Sequence, residues 1–174
     1  VDGPVRCSTN VKGVVHVIIE LAGLGVLVRH EVEFVVVGGV AAVINGAPIT
    51  TSDLDILHRR TPENVRRLVA AVTEIDATFR TDPRKIRPNE SHLLGPGHAL
   101  LQTTLGVLDS LGTIETNTTY EDVLVDTFVT EVAGLSIRAL TLERLIKVKE
   151  QAGRPKDLRM LPELRATLAE RNRR

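Results

Sequence analysis

The chain has 174 residues, 43% apolar and 25% charged, the balance of a domain with a hydrophobic core of its own. Its formal net charge is zero and aromatics make up 2%, which excludes a global basic field for a polyanion and a stacking platform for bases. The lone cysteine, Cys7, excludes an intramolecular disulfide and a cysteine zinc cluster, and the five histidines show no pair at zinc spacing.

Residues 1–12 read as a loose N-terminal end, and residues 13–174 as one domain whose last part, 141–174, is helical. Val14 to His30 predicts a helix weakened by Gly23 and Gly25. Its apolar run falls short of the roughly 20 residues that span a bilayer, and His16 and Glu20 interrupt it. No cleavage-type site follows, so no membrane partner and a cytoplasmic location are expected. Glu33 to Val37 predicts a strand, because a continuous β-branched run suits a sheet covered on both faces. A short helix opens at Gly39 and is broken at Gly46-Ala47-Pro48. Ser52 to Leu57 predicts a second strand. Thr61-Pro62-Glu63-Asn64 starts a helix, with Thr as N-cap and Pro in the first turn.

Residues 77–97 read mostly as loop, with Pro83, Pro88 and Pro96, and carry a small basic cluster from Arg80 to Arg87. His98 to Thr103 and Leu105 to Ile114 predict strands, and Tyr120 to Val125 a short helix. Thr127 to Val132 and Leu135 to Leu140 predict a hairpin around Ala133-Gly134. Thr141 starts a helix that Gly153 stops, and an arginine-rich helix follows from Pro155. Strands and helices are mixed, so the expected class is α/β or α+β, a mixed sheet flanked by helices.

The chemistry concentrates in "VGGVAAVINGAPITTSDLDI". Side chains two apart on a strand share a face, so Asp53 and Asp55 project together while Leu54 turns to the core. Two carboxylates that close repel, and a divalent, oxygen-preferring cation such as Mg²⁺ or Mn²⁺ neutralises them. Gly38 and Gly39 sit where a strand becomes a helix, a place where phosphate can approach the backbone. Thr51 and Ser52 add hydroxyls just before the carboxylates. The joint pattern points to a site for a triphosphate and a metal. Each part alone is weak: an Asp-x-Asp is more often a solvated strand end, and a Gly-Gly a tight turn.

The stretch resembles the signature of the nucleotidyltransferase superfamily, which has the DNA polymerase β-like fold. It is most similar to a small bacterial group with a Gly-Gly variant, the AbiEii-type toxins and their relatives. "LTLERLIKVKEQAGRPKDLRMLPEL" is similar to that group's C-terminal segment. The resemblance implies a mixed sheet with packed helices and transfer of a nucleoside monophosphate from an NTP to an acceptor, with release of pyrophosphate. It implies three carboxylates that hold two metal ions. Asp53 and Asp55 match the first two, and Asp109, an acid in an otherwise apolar strand, is the expected third. Glu115, Glu121 and Asp122 are the fallback candidates. Lys149, Arg154 and Lys156 are candidates for triphosphate contact, against the reading of a solvated face or an ion pair with Asp157. Arg84, Lys85 and Arg87 are candidates to meet substrate from the loop, against the favoured reading of solvated loop charge. One departure stands out: Asn45 occupies a position where relatives often carry histidine.

Two functions remain in competition at this level. One is a metal-dependent nucleotidyltransferase acting on tRNA, a protein or a small molecule, with an antitoxin as a candidate partner. The other is an inactive relative that binds nucleotide or a partner. A metal-assisted phosphohydrolase is a third alternative.

Overall fold

The computed structural model describes the backbone of residues 11–173 and the side chains of residues 20–173. The expected loose end falls outside these residues up to position 10, while residues 11 and 12 already belong to helix α1, Val11–Arg29. Strand β1 is Phe34–Val37, and all four of its residues are buried, as a β-branched run covered on both faces requires. Helix α2, Gly38–Ile44, follows at once, one residue earlier than its sequence signal. Strand β2 is Asp53–His58 and helix α3 is Pro62–Glu74. The Thr61 hydroxyl accepts from the Asn64 N–H and caps α3, with Pro62 in the first turn where no amide is missed.

The segment 77–97 is less irregular than its prolines suggest. It holds a two-residue strand β3, Thr78–Phe79, and a one-turn helix α4, Glu90–Leu94. Asn89 and His92 close a reciprocal cap at the start of α4. Strand β4 is His98–Thr103, and β5 is Gly106–Leu111, shorter at both ends than expected. Leu105 lies in the turn, where its N–H donates to the Thr103 hydroxyl. Beyond Leu111, the Gly112 N–H donates to the Gly97 carbonyl, and a Cβ at Gly112 would lie 2.4 Å from the Gly95 carbonyl oxygen. That crossing loop ends the strand. Helix α5, Tyr120–Val123, continues as a 3₁₀ turn over Leu124–Asp126. Strands β6, Thr127–Val132, and β7, Leu135–Leu140, form the expected hairpin. Helix α6, Leu142–Ala152, ends at Gly153 in the left-handed conformation, and α7 is Pro155–Arg171.

Among the described residues, seven strands form one mixed sheet in the order β3-β4-β5-β2-β1-β7-β6. The β2–β5 and β1–β7 pairs are parallel and the other pairs antiparallel. Helix α1 packs on one face: Gly23 lets it approach Leu54, and α3 lies beside it. Helices α2, α6 and α7 gather on the other face. With few aromatics, the core between these layers is aliphatic, built on residues such as Leu24, Val36, Ile56, Leu68, Leu101 and Leu145. No helix among the described residues is long and apolar enough to cross a membrane.

Candidate active site

Strand alternation sets the site. Leu54 and Ile56 are buried toward α1, so Asp53 and Asp55 face the α2–α6 side. Directly paired residues of neighbouring strands point to the same face. Val37 pairs with Asp55, Asp55 with Asp109, and Asp109 with Leu100. The Arg80 N–H donates to the Leu100 carbonyl, which places Arg80 in the same row just past β3. One row across the sheet therefore reads Val37, Asp55, Asp109, Leu100, Arg80. It forms part of the wall of a cleft of about 680 Å³ closed on the other side by α6 and α7.

Asp53, Asp55 and Asp109 each offer an oxygen, and these oxygens all lie within 4.8 Å of one another. Burial first, then the charges of Asp53 and Asp109, push the Asp55 carboxyl up to about 7, against partial relief from Lys156 and Lys149. The site is short of positive charge around Asp55, whose carboxylate receives no hydrogen bond among the described residues. Hard carboxylate oxygens, one of them undercompensated, are the donor set that a Mg²⁺ or Mn²⁺ ion takes.

The two glycines have a steric reason to be there. Gly38 has φ 62°, and a Cβ on it would lie 2.0 Å from Asp55 Oδ2. A Cβ on Gly39 would lie 2.4 Å from the Thr51 hydroxyl oxygen. Thr51 in turn hydrogen-bonds Asp53 Oδ1 at 3.2 Å. The Gly-Gly pair thus lets the carboxylate strand come against the start of α2.

No protein-family model and no curated protein matches the chain. Among solved structures, the chain is similar to a crystal structure from Thermotoga maritima described as a "putative nucleotidyltransferase", with TM-score 0.56 and 18% identity over 88% of this chain and 92% of that one. The chain has a nucleotidyltransferase-like fold. At that identity the fold alone is shared, and the AbiEii-type grouping rests on the sequence resemblance.

Other expected site residues divide clearly within this nucleotidyltransferase-like frame. Ser52 is not brought into the cleft. The alternation that turns Asp53 inward turns Ser52 outward with Leu54, beside a small recess under α1 near Gly23. Lys149 lines the cleft but is buried and paired with Asp157 at 3.1 Å. Arg154 also lines it, mostly exposed, and reaches the other Asp157 oxygen at 2.5 Å. Burial pushes the Asp157 carboxyl up, but these two partners outweigh it and hold the carboxyl below its ordinary value. Lys156 is 3.7 Å from Asp53 Oδ2 on an exposed side chain.

The fallback carboxylates lie outside the cluster of three: Glu115 lines the cleft with Oε2 held by Arg144 and Thr118 and Oε1 buried without a hydrogen bond among the described residues, Glu121 pairs with Arg59, and Asp122 closes the Thr119 cap. Asn45 donates to the Ala41 and Leu140 carbonyls, tying the end of α2 to β7. Arg84 pairs with Asp82 and Arg87 with Asp76, and Arg84, Lys85 and Arg87 are all exposed, as the solvated-loop reading has it.

The residue that the sequence did not single out is Arg80. Its guanidinium grips both oxygens of Asp109, at 2.5 and 3.0 Å. The Asp109 hydrogen bond, helped by the charges of Asp109, Asp53 and Asp55, raises its pKa against the opposing effect of burial. Only its place at the head of a basic loop was visible, and nothing local sets it apart from Arg84 or Arg87.

Proposed function

We propose that the protein is a metal-dependent nucleotidyltransferase that moves a nucleoside monophosphate from an NTP to an acceptor hydroxyl. The convergence of Asp53, Asp55 and Asp109 beside Gly38 and Gly39, in a cleft large enough for a nucleotide, is the observation that carries this reading. In the reaction the acceptor oxygen bonds to the α-phosphorus, and the bond from that phosphorus to the bridging oxygen breaks. Pyrophosphate leaves, and the hydroxyl proton passes to solvent or to a carboxylate of the cluster.

Asp53 and Asp55 are the groups that would hold Mg²⁺ or Mn²⁺, with Asp109 beside them in the cluster. The ion, when bound, screens the triphosphate and stabilises charge at the reacting phosphorus. Gly38 and Gly39 line the cleft and let Asp55 and Thr51 pack against the start of α2, and Thr51 steadies Asp53. Arg154 and Lys156, exposed at the cleft rim, are suited to the outer phosphates. Lys149 contributes through the field it exerts on Asp55 and through its hold on Asp157, which fixes the α6–α7 corner. The acceptor is tRNA, a protein or a small molecule. Membership of the AbiEii-type group would make the chain a toxin with an antitoxin partner, and the need for NTP fits a cytoplasmic setting.

The test is incubation with NTP labelled on the α- or the γ-phosphate, with Mg²⁺ and a panel of acceptors. Transfer of the α-label with release of pyrophosphate supports the proposal. Release of inorganic phosphate alone would make the protein a phosphohydrolase. The fork of Arg80 on Asp109 favours a second reading, an inactive nucleotide-binding relative. Nucleotide binding without transfer to any acceptor is its signature.

A further inference from the structure

The three carboxylates are not equivalent. Asp53 makes one contact to the Thr51 hydroxyl and one long contact to Lys156, and Asp55 receives no hydrogen bond among the described residues. Asp109 has both oxygens committed to Arg80, in the two-pronged arrangement that matches a guanidinium to a carboxylate. Arg80 is also anchored. Its N–H is bonded to Leu100, and Leu100 pairs with Asp109, so the arginine starts two strands away and reaches along the sheet. Two strand spacings are about 10 Å, a gap that an extended arginine and an aspartate close between them.

We propose that Arg80 is the resident second cation of this site. The centre would take a single divalent ion, held by Asp53 and Asp55, and the guanidinium occupies both oxygens of the carboxylate that a second ion would need. One divalent ion and one guanidinium match the three carboxylates in formal charge, with Lys156 a further, exposed positive charge at the rim, 3.7 Å from Asp53. A lysine could neutralise Asp109 as a point charge but could not fork across both of its oxygens. This inference rests on the nucleotidyltransferase reading for the first ion and departs from the two-ion set that the sequence resemblance implies.

Counting bound Mn²⁺ tests it. Mn²⁺ alone is titrated into the protein, and the free ion is followed by its paramagnetic resonance signal. Wild type binds one ion per chain, Asp53→Asn loses it, and Asp109→Asn keeps it. Arg80→Ala frees Asp109 and binds a second ion, at least about tenfold tighter than any second ion in wild type. Arg80→Lys, which keeps the charge, remains at one ion and guards against a folding defect in the alanine variant. Two ions in wild type, or one ion in both wild type and a folded Arg80→Ala, would overturn the role of Arg80 and leave the metal-dependent reading standing. No ion in any of these proteins would overturn that reading as well, and a nucleotide-binding measurement without metal would then separate the two failures.

Discussion

Replacing Asp55 by Asn should make the metal-free protein more stable while it removes the site. Asp55 is held near a pKa of about 7 in the fold, against 3.8 for an ordinary aspartate. A carboxylate whose folded pKa is raised binds more protons in the native than in the unfolded state between these two values. Stability from this group is therefore greatest below pH 3.8 and is lost as pH rises toward 7. At 1.36 kcal/mol for each pH unit, the full loss is about 4 kcal/mol at pH 8, and less than about 2 kcal/mol at pH 5. Asparagine has the shape of the protonated acid and carries no charge, so it should recover most of that loss. For a domain of this size about 4 kcal/mol corresponds to a Tm rise of roughly 10 °C. The assay is urea unfolding with a chelator present, at pH 5 and at pH 8. A gain that grows with pH supports the reasoning. A loss of stability at pH 8, or an equal gain at both pH values, refutes it, because then neither burial nor the neighbouring acids penalise the charge.

Other expected outcomes follow from the same geometry. Mg²⁺ or Mn²⁺ with NTP should raise the Tm of wild type by mass action, and Asp53→Asn should abolish most of the shift in a thermal melt. Asp109→Asn should lower turnover on the order of a hundredfold and leave NTP affinity by calorimetry nearly unchanged, since Asp109 holds Arg80 beside the cluster, where positive charge matters most in the transition state. Gly38→Ala should cost about 1–3 kcal/mol in chemical denaturation, from the left-handed backbone and the collision with Asp55. Lys149→Met should destabilise by about 1–3 kcal/mol, because Asp157 is buried and keeps only Arg154.

Local signals made much of this fold legible. The β-branched run at Phe34–Val37, the cap at Thr61 and the glycine stop at Gly153 each act within a turn or a strand, and each element stands where its signal lies. The strand period of two also put Asp53 and Asp55 on one face. The same period, carried one residue back, turns Ser52 away from them, so that misplacement was avoidable. Helix α4 hid among prolines because one capped turn has no periodicity to read. Arg80 was beyond reach for another reason. It meets Asp109 across 29 positions of sequence, through the pairing of β4 with its neighbours, and no local pattern encodes that pairing.

The row of Val37, Asp55, Asp109, Leu100 and Arg80 also bears on how the sheet assembles. A slip of one residue between β2 and β5 would exchange Asp109 for Leu108, now 4% exposed in the core. The acid would enter an aliphatic layer with no arginine to meet it, and a leucine would face the open cleft. A buried carboxylate without a partner costs several kcal/mol, more than a typical strand pairing returns. The acidic centre thereby acts as a register key for folding: the chain that mispairs its strands is penalised at the same residues on which the proposed chemistry depends.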